Sequence, residues 1–132
     1  MSGVWDKKNL KGMEIAGKTL GLIGFGNIAK SLANKAYNLG MKVVYNDIID
    51  IKDERFDFAN FDELIKNSDF ITIHTPLTEA TRYMFNKEVF EKMKKTAFLI
   101  NCARGGIVNE RDLLNALENK EIAGVVLGRE GG

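Results

Sequence analysis

"TLGLIGFGNIAKSLANKAYNLGMKVVYND", residues 19–47, is the stretch whose reading decides the fold. It opens on an apolar run, "TLGLIGF" (19–25), which reads as a strand ending in a glycine-rich turn. Ile28, Leu32, Ala36 and Leu39 then recur at helical spacing, and Gly40 supplies a C-terminal stop. A second run of β-branched and aromatic residues follows, "KVVYN" (42–46), closed by Asp47. Strand, helix and strand in this order make a β-α-β unit.

Gly24, Gly26 and Ala29 stand at the spacing G-x-G-x-x-A. Alone, such glycines serve a turn as readily as a ligand, and that structural reading stays open. Three further conditions favour the ligand: the motif follows a strand, it opens an amphipathic helix, and an acid, Asp47, lies about 20 residues on. Gly24 permits the tight turn, Gly26 lacks the Cβ that would keep a pyrophosphate from the backbone, and Ala29 lets helix and strand pack closely. The amides of Asn27 and Ile28 lie at the helix N-terminus, where the dipole favours an anion. Asp47 can accept hydrogen bonds from ribose hydroxyls. A 2′-phosphate there would meet a carboxylate, and residues 48–51, "IIDI", offer no Arg to receive it. The expected cofactor is NAD rather than NADP.

The same alternation runs outward through the chain. "FITIH" (70–74), "AFLIN" (97–101) and "GVVL" (124–127) read as further strands, with "RFDF" (55–58) a weaker candidate. Asn60 with Glu63 makes a capping box before Leu64 and Ile65. Asn86 can cap a helix carrying Val89, Phe90 and Met93, and Asn109 one whose Leu113, Leu114 and Leu117 form a core stripe. The expectation is an α/β fold: a Rossmann doubly wound parallel sheet of about six strands, order 3-2-1-4-5-6, helices on both faces.

Composition narrows the partners. The 132 residues suffice for one domain, are 45% hydrophobic and 28% charged, and carry a net charge of +1. That charge gives no long-range pull toward nucleic acid or an anionic membrane, and "KMKK" (92–95) is matched by Glu88 and Glu91 as a solvated helix face. No apolar run approaches a membrane span, and "MSGVWDKKNL" has no apolar signal core. One cysteine, Cys102, forms no internal disulfide, which suits a reducing, cytoplasmic setting. One His and one Cys do not supply the usual ligands of a metal site.

Ligands of open α/β sheets bind beyond the carboxyl ends of the strands, and two strands here end in polar clusters, "HTPLT" (74–78) and "NCARGG" (101–106). An arginine such as Arg104 just past a strand end could grip a small carboxylate bidentately; a surface charge or loop tie is the alternative. "GKTLGLIGFGNIAKSLANKAYNLGMKVVYND", "HTPLTEATRYMFN" and "FLINCARGGIVNERDLLNALENKEIAGVVL" together resemble the D-isomer-specific 2-hydroxyacid dehydrogenases, over roughly residues 5 to 127. "NCARGGIVNE" is the most specific part of that likeness.

The resemblance implies pyrophosphate contacts at Asn27 and Ile28, ribose at Asp47, and cofactor-lining positions at Thr75, Cys102 and Ala103. It makes Arg104 the substrate-carboxylate residue, close to the nicotinamide, and Cys102 a wall residue rather than a nucleophile. The family's catalytic His, paired with a Glu, lies downstream of the "CARGG" segment. His74, the only histidine, matches the ordinary "HTP" turn and is expected on the cofactor side. Gly128 stands where the family has an Asp that holds the nicotinamide carboxamide.

The implied domain organisation is a single NAD-binding domain, 1–132, with 1–3 ("MSG") and 128–132 ("GREGG") as junction residues and the family's substrate domain missing at both ends. The expected role is to hold NAD(H) for a parent dehydrogenase acting on a small 2-hydroxy or 2-oxo acid, without turnover by the isolated chain. The alternative is a non-catalytic module: an NAD-sensing interaction domain, as in the family's transcriptional corepressor relatives, or an engineered scaffold. Uncovered strand edges lead us to expect a homodimer or higher self-association.

Overall fold

The computed structural model describes residues 15–101 and 106–127. Six strands form one sheet: β1 (Thr19–Ile23), β2 (Lys42–Asn46), β3 (Phe56–Phe58), β4 (Phe70–Ile73), β5 (Phe98–Asn101) and β6 (Gly124–Leu127). Their order is β3-β2-β1-β4-β5-β6, and every neighbouring pair is parallel. Each strand lies within the stretch the sequence marks for it; the runs at 19–25, 55–58, 70–74 and 97–101 are trimmed by a residue or two at one end. The fold is the doubly wound sheet that the alternation of runs predicts.

Alternate residues on each strand face opposite layers. Ile23, Val44, Ile71, Ile73 and Leu99 build the larger core with three helices: α2 (Phe61–Asn67), α3 (Lys87–Lys92) and α4 (Glu110–Glu118). Leu20, Leu22, Val43, Tyr45 and Phe70 build the other core with α1 (Asn27–Asn38). Residues pointing both ways are apolar, so the strands read as continuous hydrophobic runs.

Two helix faces differ from the sequence expectation. On α1 the buried residues are Ala29, Ala33 and Ala36, whereas Ile28 is 74% exposed and Leu39 59% exposed. Close approach to the sheet selects small side chains, so Ala29 and Ala33 join the expected Ala36 and the partly buried Leu32 on the core side. On α4, Leu113 and Ala116 are buried and Leu117 packs at the margin, but Leu114 is 62% exposed.

The caps follow the sequence. Asn60, Asn86 and Asn109 each accept, at the side-chain oxygen, the amide of the residue three positions on, at 2.8, 3.2 and 3.1 Å. Asn60 also donates from Nδ2 to Glu63 Oε1 at 2.9 Å. Gly40, at φ +88°, ends α1 in the left-handed conformation that glycine adopts without strain. Among the described residues no helix is long and apolar enough to cross a membrane.

Candidate functional site

The sheet register assembles the site. Ile23 at the end of β1 pairs with Asn46 on one side and Ile73 on the other, and Ile73 pairs in turn with Asn101. The residues that follow these strand ends, Gly24, Asp47 and His74, are therefore neighbours at one edge. Backbone bonds lock them: the Gly24 amide donates to Asn46 O at 2.8 Å, and the His74 amide to Ile23 O at 2.7 Å.

Gly24 sits at φ +88°, and a Cβ there would stand 3.0 Å from the Thr75 amide nitrogen and 3.1 Å from the His74 carbonyl carbon. Its role is both the turn and a close crossing over the end of β4. Gly26 differs. Its φ of −84° suits any residue, and a Cβ would meet nothing within 4 Å among the described residues. It begins α1 with no side-chain cap and no acid in the first turn. The helix start at Asn27 and Ile28 is thus open in front of Gly26, and this open space, with the exposed amide ends behind it, fits a pyrophosphate.

Asp47 reaches back into the glycine turn. Its Oδ2 accepts the Phe25 amide at 2.7 Å, and its Oδ1 accepts the Ile48 amide at 2.6 Å. Beneath that contact the Phe25 ring stacks on Tyr45 at 4.4 Å and meets Phe56 edge-on at 5.7 Å. The carboxylate is half-buried beside the turn and retains lone pairs for a ribose hydroxyl.

The second polar cluster closes the other side. After Pro76, Thr81 Oγ1 donates to Pro76 O and accepts the Thr78 amide, both at 2.7 Å, which folds "PLTEAT" into a compact turn. The chain then runs beside the segment that follows "NCARG": Tyr83 N donates to Gly106 O at 2.7 Å, Phe85 N to Ile107 O at 3.1 Å, and Asn109 N to Phe85 O at 2.8 Å. A Cβ on Gly106 would stand 3.0 Å from Leu77. The two clusters therefore meet. Cys102, Ala103 and Arg104 themselves lie outside the described residues, as does Gly128.

His74 is half-buried, and its Nε2 shares a hydrogen bond with Thr72 Oγ1 at 2.9 Å. Burial pushes its pKa below the usual histidine value, so it is neutral at pH 7. Thr75 is half-buried behind Gly24.

Sequence reading missed the wall on the far side of Phe25. There a cavity of about 530 Å³ is lined by Phe25, Lys30, Asn34, Lys52 and Arg55 among others. These residues come from separate stretches, and no spacing rule links them.

A model of the D-isomer-specific 2-hydroxyacid dehydrogenase NAD-binding domain matches residues 1–128. Hydroxypyruvate reductase of Thermotoga maritima is 47% identical over 112 residues, 84% of this chain and 37% of that protein. D-3-phosphoglycerate dehydrogenase of Bacillus subtilis is 43% identical over 128 residues, 93% of this chain and 24% of that protein. The NAD-complexed D-isomer-specific 2-hydroxyacid dehydrogenase of Lactobacillus delbrueckii ssp. bulgaricus superimposes with a TM-score of 0.85 at 37% identity, over 98% of this chain and 40% of that one. This chain thus spans well under half the length of these relatives. A glycine turn, an open helix start and an acid at the end of β2, on a sheet of this order and with these likenesses, place the chain in the D-isomer-specific 2-hydroxyacid dehydrogenase family, as its NAD-binding domain.

Proposed function

We propose that the C-terminal edge of the sheet holds NAD(H) for hydride exchange with a small 2-hydroxy or 2-oxo acid. The pyrophosphate lies over Gly24 and Gly26 on the Asn27 and Ile28 amides, and Asp47 takes the adenosine ribose. The nicotinamide half runs past Thr75 toward Cys102 and Ala103, where Arg104 holds the substrate carboxylate. The observation that carries this reading is the bond from the Phe25 amide to Asp47 Oδ2, which sets the acid against the turn whose open side is Gly26.

The bound cofactor supplies the hydride. The protein must also give a proton to the developing alkoxide. His74 is unsuited to that: burial keeps it neutral, and its Nε2 is engaged by Thr72. Missing general acid catalysis removes about 10²–10⁴-fold in rate. These 132 residues by themselves are therefore a holder of cofactor and not a catalyst. We further place the chain in the cytoplasm, without membrane or nucleic-acid partners, on its single cysteine and net charge of +1. A homodimer or higher assembly would cover half-exposed Phe98, Ile100 and Val126 on the α1 side of β5 and β6.

Calorimetric titration with NAD, NADH and NADP tests the reading, beside NADH oxidation with glyoxylate, hydroxypyruvate, pyruvate and phosphohydroxypyruvate. The expected result is NAD(H) binding stronger than NADP and no turnover. Turnover abolished by His74→Ala would move the active site.

A further inference from the structure

Between Thr75 and Met84 the chain forms no helix or strand, yet it is held more firmly than a surface loop requires. Its entry is Pro76, the only proline of the sequence, whose ring fixes φ. Its centre is the half-buried Thr81. The Thr81 hydroxyl has one proton and two carbonyls near it, Pro76 O at 2.7 Å and Thr78 O at 3.4 Å. The shorter contact takes the proton. The lone pairs of Oγ1 then face the Thr78 amide, which donates to it at 2.7 Å. Thr78 returns the contact less closely: its own Oγ1 accepts the Thr81 amide at 3.2 Å. One side chain thus ties the backbone at two points, five and three residues earlier.

The exit of the loop carries strain. Tyr83 has φ +51°, in the left-handed region that a bulky side chain avoids. Its amide is bonded to Gly106 O at 2.7 Å, and Gly106 is itself left-handed at φ +102°. A conformation that costs free energy persists only where its surroundings impose it. Two independent features, a hydroxyl knot and a strained residue, therefore hold one loop in one shape. That shape meets the edge of the sheet on both flanks. Pro76 directly follows Thr75, whose amide nitrogen is the nearest atom to the place a Gly24 Cβ would take. Leu77 lies close over Gly106. Thr81 sets the Pro76 carbonyl, and through it the direction in which Thr75 enters the loop.

On the reading that the nicotinamide half of NAD(H) runs past Thr75, we propose that Thr81 is a positioning residue for that half. Its hydroxyl holds the Pro76 carbonyl, so that Thr75 is already set beside Gly24 before any ligand arrives. The physical effect is pre-organisation: a loop that is ordered in advance loses less freedom on binding. The contribution belongs to ligands long enough to reach Thr75. A ligand that stops at the adenosine ribose, beside Asp47, does not draw on it.

Calorimetric titration of the full chain with NAD and with 5′-AMP separates this role from a merely structural one. A loss of folded protein lowers both affinities by the same factor, whereas a loss of positioning changes their ratio. Thr81→Val keeps the branched shape and removes the hydroxyl. NAD affinity should fall about fivefold while 5′-AMP stays within about twofold of wild type. Thr81→Ser restores the hydroxyl and should bring NAD back to within about twofold of wild type. Thr78→Ala removes only the longer return contact and should leave both ligands within about twofold of wild type. Should Thr81→Val fail to fold, hydrogen exchange of the Thr78 amide in the wild-type chain supplies the second measurement. Saturating NAD should slow that exchange about fivefold, and saturating 5′-AMP should not. An unchanged NAD affinity in folded Thr81→Val overturns the positioning role. So does an equal fall for the two ligands, a Thr81→Ser variant no better than Thr81→Val, or Thr78 exchange indifferent to NAD. In each of these results, wild-type binding of NAD and 5′-AMP leaves the cofactor reading standing. A wild-type chain that binds neither ligand overturns the cofactor reading and the positioning role together.

Discussion

Among the described residues four helices begin in two different ways. The starts of α2, α3 and α4 are each closed by an asparagine side chain, at Asn60, Asn86 and Asn109. The start of α1 carries Gly26 and no side-chain cap. A cap contributes about 1 kcal/mol, and short helices depend on it most. The capped helices have 7, 6 and 9 residues, whereas α1 has 12 and buries three alanines against the sheet. The contrast separates two uses of one piece of backbone chemistry. Where the free amides only have to be satisfied, a side chain satisfies them; where they face open space beside Asp47, none of the described residues stands in the way.

Gly26→Asp breaks the contrast outright. The new carboxylate would cap α1 and raise stability by a few tenths of a kcal/mol, while standing where the phosphates are proposed to lie. NAD affinity should fall on the order of a hundredfold or more, measured by calorimetry, with an unfolding temperature no lower than wild type. Undiminished binding would put the phosphates elsewhere. Gly24→Ala tests the neighbouring glycine, whose constraint is internal. The methyl would stand 3.0 Å from the Thr75 amide at φ +88°, so urea unfolding should show a loss of about 2 kcal/mol. A stability equal to wild type would mean the turn relaxes freely.

Asn60→Ala sharpens the other side of the comparison. It should cost about 1 kcal/mol of stability and leave NAD affinity unchanged, because the Asn60 side chain is engaged by its own helix at Glu63. The smallest effect concerns Asp69. Burial raises its pKa, but the Thr19 amide at 2.9 Å and Lys94 Nζ at 3.1 Å outweigh that and hold the carboxyl below its ordinary value. A depressed carboxyl stabilises the fold above its unfolded pKa and loses that contribution as pH falls through the folded one. Asp69→Asn should flatten the acid limb of the stability-pH curve, at and below the ordinary carboxylate range, by under about 1 kcal/mol given the half-exposed lysine. Identical acid limbs for variant and wild type would discount the tie.

Strands and caps were legible because they depend on neighbours in sequence. β-branched runs mark β2 and β4 without reference to the rest of the chain, and an asparagine before a helical run caps it wherever the helix lies. The face of α1 was less legible, since Ile28 and Leu39 outweigh Ala29 and Ala33 in any count of hydrophobicity. Only the proximity of the sheet explains why the small residues go inside. Gly24, Gly26 and Asp47 were legible as a spacing. The Lys30–Lys52 cavity was not, because it depends on the Tyr45 hydroxyl pulling the turn after Asp47 down onto β2. Tyr45 reads in the sequence as one more core aromatic.

The position of β1 in the middle of the sheet has a consequence for how the chain folds. Thr19 pairs with nearby Lys42, but Leu20 pairs with Phe70, 50 residues further on. Closing that long loop is the entropically slow step of such a topology. Until it closes, β1 offers a bare apolar edge, with Leu20, Leu22 and Ile23, to any other chain nearby. The β1–β4 join that sets Gly24 against His74 spans the longest sequence separation of any pairing in the sheet. The half of the chain that carries the glycine motif can be made and partly folded well before it has a binding edge at all.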